Sequence, residues 1–333
     1  MGIEIVAEIA QGFEGDATQS KLLVRSCAMA GADAAKFQLV FADELATPDY
    51  QFYSLFKSLE MPDETWSSIV GLGKSLNLEI QFDIFGLRSL RTASDLGVNT
   101  IKIHPTDISN VALIEAIERS DISRLLVGSG GAFRSEIERA LDILGSKEIV
   151  LLLGFQGYPT ETDTNQISRI RYFVERFSQR HPNLSIGFAD HAAPDSGLAS
   201  LLASMAIGTG ATLIEKHITL NMALRLEDHE SALNPDDFSV YSRLLREAFS
   251  AYGSSVNAID FGMSQSELLY RKKIRRHVVS TTDIPGGALI SPSDVTLKRT
   301  SDDSALTDLT EVYGRISARD IRINSPIGQP DLL

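Results

Sequence analysis

The feature that most constrains this chain is a strict alternation over its first three-quarters. Short apolar runs of strand length are each followed by a longer run of helical period, eight times over. The strand-like runs fall at 3–7, 34–38, 78–82, 100–103, 125–127, 149–153, 185–188 and 211–214. The helix-like runs fall at 18–29, 63–76, 87–96, 111–119, 134–144, 164–179, 194–207 and 235–252. Neighbouring parallel strands need a crossover between them, and a helix is the usual one, so this order predicts a parallel sheet covered by helices. Eight units in about 250 residues predict an α/β fold of the (β/α)8 TIM-barrel type. Helix ends agree with the count: Pro62-Asp63-Glu64 and Asn234-Pro235-Asp236 place proline and acids in a first turn, and Gly31 and Gly97 precede strands. A doubly wound open sheet is the alternative. The residues after the first strand, Glu8-Ile9-Ala10-Gln11-Gly12, lack the Gly-x-Gly-x-x-Gly turn that such a sheet uses for dinucleotides.

The pattern changes after Tyr252. The expected organisation is a catalytic barrel over 1–253, a linker over 254–276 that ends in the basic run RKKIRRH, and a small β-rich module over 277–333. That module contains an echo of itself. Asp283-Ile284, Ile290 and Asp294 recur at the same spacing as Asp320-Ile321, Ile327 and Asp331. A module of fewer than about 60 residues without disulfides has little core of its own and gains by docking on something larger.

The net charge of −13 argues against nucleic acid or an anionic membrane as a partner. It leaves an anionic substrate possible, because a site's own field is set by the groups around it. Cys27 is the single cysteine, on an apolar helical run, which predicts a buried thiol and excludes an intrachain disulfide. No run approaches the ~18 apolar residues of a membrane span, and the opening MGIEIVAEIA does not resemble a signal peptide, so a cytoplasmic location is expected.

In a barrel of this type the chemistry lies at the C-terminal ends of the strands. Those ends carry Glu8, Lys36 with Gln38, Asp83, Lys102 with His104 and Asp107, the Gly128-Ser129-Gly130-Gly131 turn, Gln156-Gly157-Tyr158, Asp190 with His191, and Glu215-Lys216-His217. His191 and His217 end successive strands one βα unit apart, which predicts a small metal site; capping of strand ends is the structural alternative. Lys36 and Lys102 lie inside apolar strands, where a lysine needs an anion. Either ion pairs with Glu8 or Asp83 satisfy them, or they form a phosphate or carboxylate pocket beside the glycine-rich turn.

Several segments together resemble the sialic acid synthases and their relatives. They are AEIAQGFEGD, GADAAKFQ, KSLEMPDETW, DLGVNTIKIHPTDISN, GYPT, GFADH, GATLIEKHITL and EDHESALNPDDF. The terminal HVVSTTDIPGGALISPSDVTLKR resembles that family's antifreeze-like (SAF) domain. The resemblance implies a metal-dependent condensation of phosphoenolpyruvate with an N-acetylmannosamine-type amino sugar, giving a nonulosonic acid and phosphate for surface polysaccharide. It implies a divalent metal, commonly Mn2+ with Mg2+ or Co2+ as alternatives, on His191 and His217. Lys36 and Lys102 would hold phosphoenolpyruvate. Glu8, Gln38, Tyr158 and Asp228 would meet the sugar and metal-bound water, and Asp190 or Glu8 would place the water that adds at C2. Glu215 joins the catalytic set, and Asp107, Ser129 and Gln156 join the substrate-binding set. Arg299 would reach the sugar's acyl group across a homodimer that exchanges its terminal domains.

The chain departs from the family pattern at Gly12-Phe13, at Phe82-Asp83-Ile84-Phe85-Gly86, at Pro105, at Gln156-Gly157 and at Ala189. These changes remove hydroxyls from the donor pocket and bear on the choice of both substrates. A keto-acid aldolase or lyase, and a non-catalytic sugar-binding relative, are the other functions considered.

Overall fold

A computed structural model describes residues 2–154, 157–253 and 261–333. Its two units, Met1–Gly253 and Ser254–Leu333, are taken separately. In the first, eight strands close into a barrel: β1 (Glu4–Ala10), β2 (Ala34–Gln38), β3 (Glu79–Ile84), β4 (Thr100–Ile103), β5 (Arg124–Gly128), β6 (Glu148–Gly154), β7 (Leu184–Asp190) and β8 (Ala211–His217). Every neighbouring pair is parallel, including the closing pair of β1 and β8.

The helices of this unit are α1 (Ala17–Met29), α2 (Ala42–Leu45), α3 (Tyr53–Ser58), α4 (Asp63–Ser75), α5 (Leu87–Asp95), α6 (Val111–Glu118), α7 (Arg134–Ile143), α8 (Ser168–Phe177), α9 (Ala199–Gly208) and α10 (Pro235–Tyr252). Two short ones, α2 and α3, were not expected. Two others begin later than their apolar pattern suggests. Pro194–Ser196 forms a separate 3-10 turn, closed by Gly197 at φ +66°, before α9 starts. Gln166 at φ +51° likewise separates a short turn from α8. A left-handed residue cannot continue a right-handed helix, so each interrupts the run.

Side chains alternate across each strand, and the residues on the inner face stack in layers. Lowest is a polar layer, where Arg124 donates to Glu4 at 2.8 Å and to Glu148 at 3.0 Å. Above it lies an apolar plug of Val6, Ala34, Leu126, Val150, Leu152 and Leu213. The next inward positions carry Glu8, Lys36, Asp83, Lys102 and Glu215. The outward positions, such as Ile5, Phe37, Phe82 and Ile101, pack under the helices in the main core. Phe13, one of the departures from the family pattern, is fully buried there and meets Phe37 and Trp66 edge-on at 5.6 and 5.4 Å. Among the described residues no helix is long and apolar enough to cross a membrane.

The second unit pairs β9 (His277–Ser280) with β10 (Val295–Lys298) in antiparallel fashion. The internal echo becomes a pseudo-two-fold. Ile284 bridges Ile321, and both join Ile290 and Ile327 in one small core. Asp320 accepts the amide of Gly286 at 2.7 Å, and Asp283 accepts that of Ile323 at the same distance. The expected linker is not a plain one. Residues Gln265–Ile274 form a helix, α11, whose N-cap Ser264 and Glu267 make a capping box. A helix rises ~1.5 Å per residue against ~3.3 Å when extended, so this stretch spans less than half the distance an extended linker would.

Candidate active site

The barrel brings together residues far apart in the chain because parity and register place them at one depth. Lys36 on β2 is fully buried; its Nζ donates to Glu8 on β1 and to Asp83 Oδ1 on β3 at 2.7 Å, with Glu215 Oε2 at 3.5 Å. Lys102 on β4 donates to Glu215 Oε1 on β8 at 2.7 Å, with Asp83 Oδ2 and Glu8 Oε2 each at 3.7 Å. The structural expectation for the two lysines is met, since both are ion-paired; of the two, Lys102 lines the mouth and Lys36 is enclosed beneath it. Glu8 is aimed by its own strand end. Its Oε1 accepts the amide of Ala10 at 2.8 Å, where Ala10 adopts φ +51° and the register to β2 shifts.

Burial and charge oppose each other in this cluster. Burial penalises the Glu215 carboxylate, but Lys102 and Lys36 overcome it and hold the group at about 2. Burial pulls Lys36 down to about 8 against Asp83 and Glu215. Lys102 moves the other way: burial lowers it, and Asp83 and Glu215 more than reverse that. The two lysines disagree in direction because they share the same carboxylates, yet both remain cations at neutral pH.

Above the charges lie the histidines. The rings of His191 and His217 are 5.2 Å apart, and the Tyr158 ring meets them edge-on at 4.9 and 5.7 Å. Burial lowers His191 to about 3 and His217 well below its usual value, so both imidazoles are neutral. His191 Nδ1 lies 3.1 Å from the carbonyl of Ala189, which can only accept. That contact puts the proton on Nδ1 and leaves the lone pair on Nε2. Among the described residues no group of three or more His, Cys, Asp or Glu side chains is arranged to hold a metal.

The remaining predicted residues divide. Gln38 accepts from Gln11 at 2.7 Å at the rim. Ser129 lines the mouth, with its hydroxyl donating to the carbonyl of Leu152 at 2.7 Å. Asp107 sits farther out beside Thr106 and Asn110, at 3.4 and 3.3 Å. Asp228, at φ +63° in the loop after β8, is raised to about 6, first by burial and then by Glu227 and Glu230. Gln156 lies outside the described residues. Arg299 is exposed just after β10 in the second unit.

Asp190 is not in the group, which corrects its expected placement. It points outward, accepting from Ala192 N at 2.9 Å and the Tyr241 hydroxyl at 3.1 Å, with Lys216 Nζ at 3.4 Å. It neighbours His191 in sequence, and consecutive strand residues face opposite ways. Asp83, expected as an ion-pair partner of the lysines, reaches both, Lys36 at 2.7 Å and Lys102 at 3.7 Å. His104, outside the expected site, also lines the mouth, and burial lowers it to about 4. Both lie at inward parity on their strands, the signal that could have found them. Gly128 lets the Pro105 ring pack against the backbone at this mouth: a side chain there would strike the ring at 2.5 Å. The cavity enclosed by Lys102, Ser129, Tyr158 and His191 is about 20 Å³.

Known proteins match this chain over most of its length. The NeuB family matches residues 23–257, and the SAF domain matches residues 275–333. The chain belongs to the NeuB family. It is similar to the N,N'-diacetyllegionaminic acid synthases of Legionella pneumophila, at 27% identity over 93% of this chain and 89% of that one, and of Campylobacter jejuni, at 26% over 96% of each. Its fold is similar to that of the N-acetylneuraminic acid synthetase of Leptospira borgpetersenii solved with citrate. The TM-score there is 0.73 at 24% identity, over 82% of this chain and 93% of that one. As a NeuB-family member with a SAF domain, the protein is an enzyme, a transferase of the sialic acid synthase type.

Proposed function

We propose that this enzyme condenses phosphoenolpyruvate with an N-acetylmannosamine-type amino sugar in its open-chain form, releasing phosphate and a nine-carbon nonulosonic acid for surface polysaccharide. The observation that carries this reading is the stacking of two buried ammonium groups directly below two neutral imidazoles at one barrel mouth. An anionic donor would sit on the lysines, and an aldehyde would sit above it.

The residues present fit a divalent metal. His191 and His217 would hold it through neutral imidazole nitrogens, a donor set that favours Co2+ or Mn2+ over the oxygen-seeking Mg2+, with water and substrate oxygens completing the shell. Two protein ligands leave further positions for water and substrate oxygen. Bound there, the ion would supply Lewis-acid polarisation of the sugar carbonyl. The chain's own groups do the rest. Lys102, with Lys36 beneath it, orients the donor so that its C3 bonds to the aldehyde carbon. Glu215 Oε2, buried and accepting no hydrogen bond among the described residues, is the oxygen proposed to position the water that adds at C2 before phosphate departs. Tyr158 and Asp228 border the sugar's side of the mouth. Two copies of the chain are proposed to exchange terminal domains so that Arg299 serves the other copy's sugar, with catalysis in the cytoplasm.

Phosphate release from phosphoenolpyruvate, measured with Mn2+ and a panel of N-acetylated aldoses, tests this function. At least one amino sugar should drive turnover that a chelator abolishes. Cleavage of a nonulosonic acid without any phosphate requirement would reassign the enzyme to the aldolases, and sugar binding without turnover would make it a non-catalytic relative.

A further inference from the structure

The donor pocket carries more negative charge than its two lysines can balance. Two ammonium groups face three carboxylates, those of Glu8, Asp83 and Glu215, all buried. The three acids are not equivalent. Glu8 is tied to the backbone through Ala10, and Glu215 borders the imidazole pair on its own strand. Asp83 lies on β3, between the strands of the two lysines, and turns one oxygen toward each: Oδ1 to Lys36 at 2.7 Å, Oδ2 to Lys102 at 3.7 Å. Among the described residues its side chain makes no hydrogen bond besides that to Lys36. A carboxylate spanning two ammoniums is the geometry by which a bound carboxylate or phosphate would be held.

We propose that Asp83 is a specificity-determining residue that competes with the donor acid for Lys36 and Lys102 and so penalises donors in proportion to their negative charge. The proposal rests on the reading of these lysines as the donor's anion site. Its physical basis is like-charge juxtaposition at a few ångströms in a site shielded from water, where screening by salt is weak. Lys36, already donating to Glu8 and Asp83, has little capacity left for a ligand; Lys102, with one hydrogen bond, keeps most of its three donors. The donor is therefore held chiefly by Lys102, against the charge of Asp83. Removing that charge while keeping the shape should strengthen donor binding, and should do so more for a multiply charged acid than for a monoanion.

The test is calorimetric titration of the full chain with phosphoenolpyruvate, inorganic phosphate and pyruvate, for the wild type and for Asp83→Asn, with Asp83→Ser as a smaller second variant. Phosphoenolpyruvate should bind Asp83→Asn tighter than wild type by roughly tenfold or more, and pyruvate should gain clearly less. No gain for phosphoenolpyruvate, or an equal gain for all three ligands, overturns the proposal. The wild type alone gives a check that does not depend on a variant folding. The phosphate of phosphoenolpyruvate should add less than about tenfold to its affinity over pyruvate, and a gain of about a hundredfold would overturn the proposal. Lys36→Met and Lys102→Met, titrated in parallel, keep the two ideas apart. If neither weakens phosphoenolpyruvate binding, the anion-site reading itself fails. If they weaken it and Asp83→Asn does not tighten it, only the role of Asp83 fails.

Discussion

Lys216→Met should destabilise the barrel severely while leaving the inner charge cluster intact. Lys216 and Asp190 are both fully buried, on adjacent strands, with Nζ and Oδ1 3.4 Å apart. Lys216 also donates to the carbonyl of Ala192 at 2.7 Å. Burial raises the Asp190 carboxyl and lowers the Lys216 ammonium, with each partner's charge opposing the shift, as a desolvated pair requires. Methionine fills much of the same volume but leaves Asp190 with two hydrogen-bond donors and no countercharge. Stripping one partner from a buried pair costs about 3–5 kcal/mol. In a unit of this size each kcal/mol lowers the melting temperature by about 2–4 °C, so a fall of roughly 6–20 °C is expected. Tyr241→Phe removes one hydrogen bond to the same carboxylate and should cost less, about 1.5–3 kcal/mol. Lys216→Met combined with Asp190→Leu should recover much of the loss, since the uncompensated charge is then gone. Urea unfolding followed by far-ultraviolet circular dichroism, with calorimetry for the melting temperature, measures all three. A Lys216→Met chain within about 1 kcal/mol of wild type, or a double variant no more stable than the single one, would refute this account of the pair.

Three further outcomes follow from the same geometry. His191→Ala and His217→Ala should each abolish Mn2+ binding in a calorimetric titration, and turnover with it, while the fold survives; metal binding unchanged in both would remove the imidazoles from the metal site. Mixing Arg299→Ala chains with His191→Ala chains should restore about one intact site per heterodimer if terminal domains are exchanged. Heterodimers as inactive as either parent would count against the exchange or against Arg299. Burial pushes the Cys27 thiol up, and the side chain is fully enclosed on the inner face of α1. It should therefore resist aromatic disulfide reagents in the native state and react at the rate of unfolding; prompt labelling in buffer would show that the helix opens locally.

Much of the barrel was legible in the sequence because strand and helix periods are local properties. Eight apolar runs of strand length, each followed by a run of helical period, admit few topologies once crossovers must be helical. The same locality located His191 and His217 at strand ends and Lys36 and Lys102 inside strands. It also implies that Asp190, the last residue of β7, and His191 after it face opposite ways. What locality could not supply is which side is inward, since that depends on how the sheet closes. Tertiary structure made that choice, and it sent Asp190 and Lys216 outward to Tyr241 on α10. Of the two interruptions within helical runs, Gly197 closes a Pro-Asp-Ser-Gly turn that is a local signal, whereas Gln166 takes left-handed backbone only because its folded surroundings impose it. The balance of the donor pocket lies furthest from local reading. Lys36 meets partners 28 and 47 residues away, and Lys102 one 113 residues away. Those pairings are set by the register of parallel strands and by closure of β1 against β8. Only the closed barrel determines that three carboxylates converge on two ammoniums, because one sequence step of strand slip would turn each of them to the opposite face.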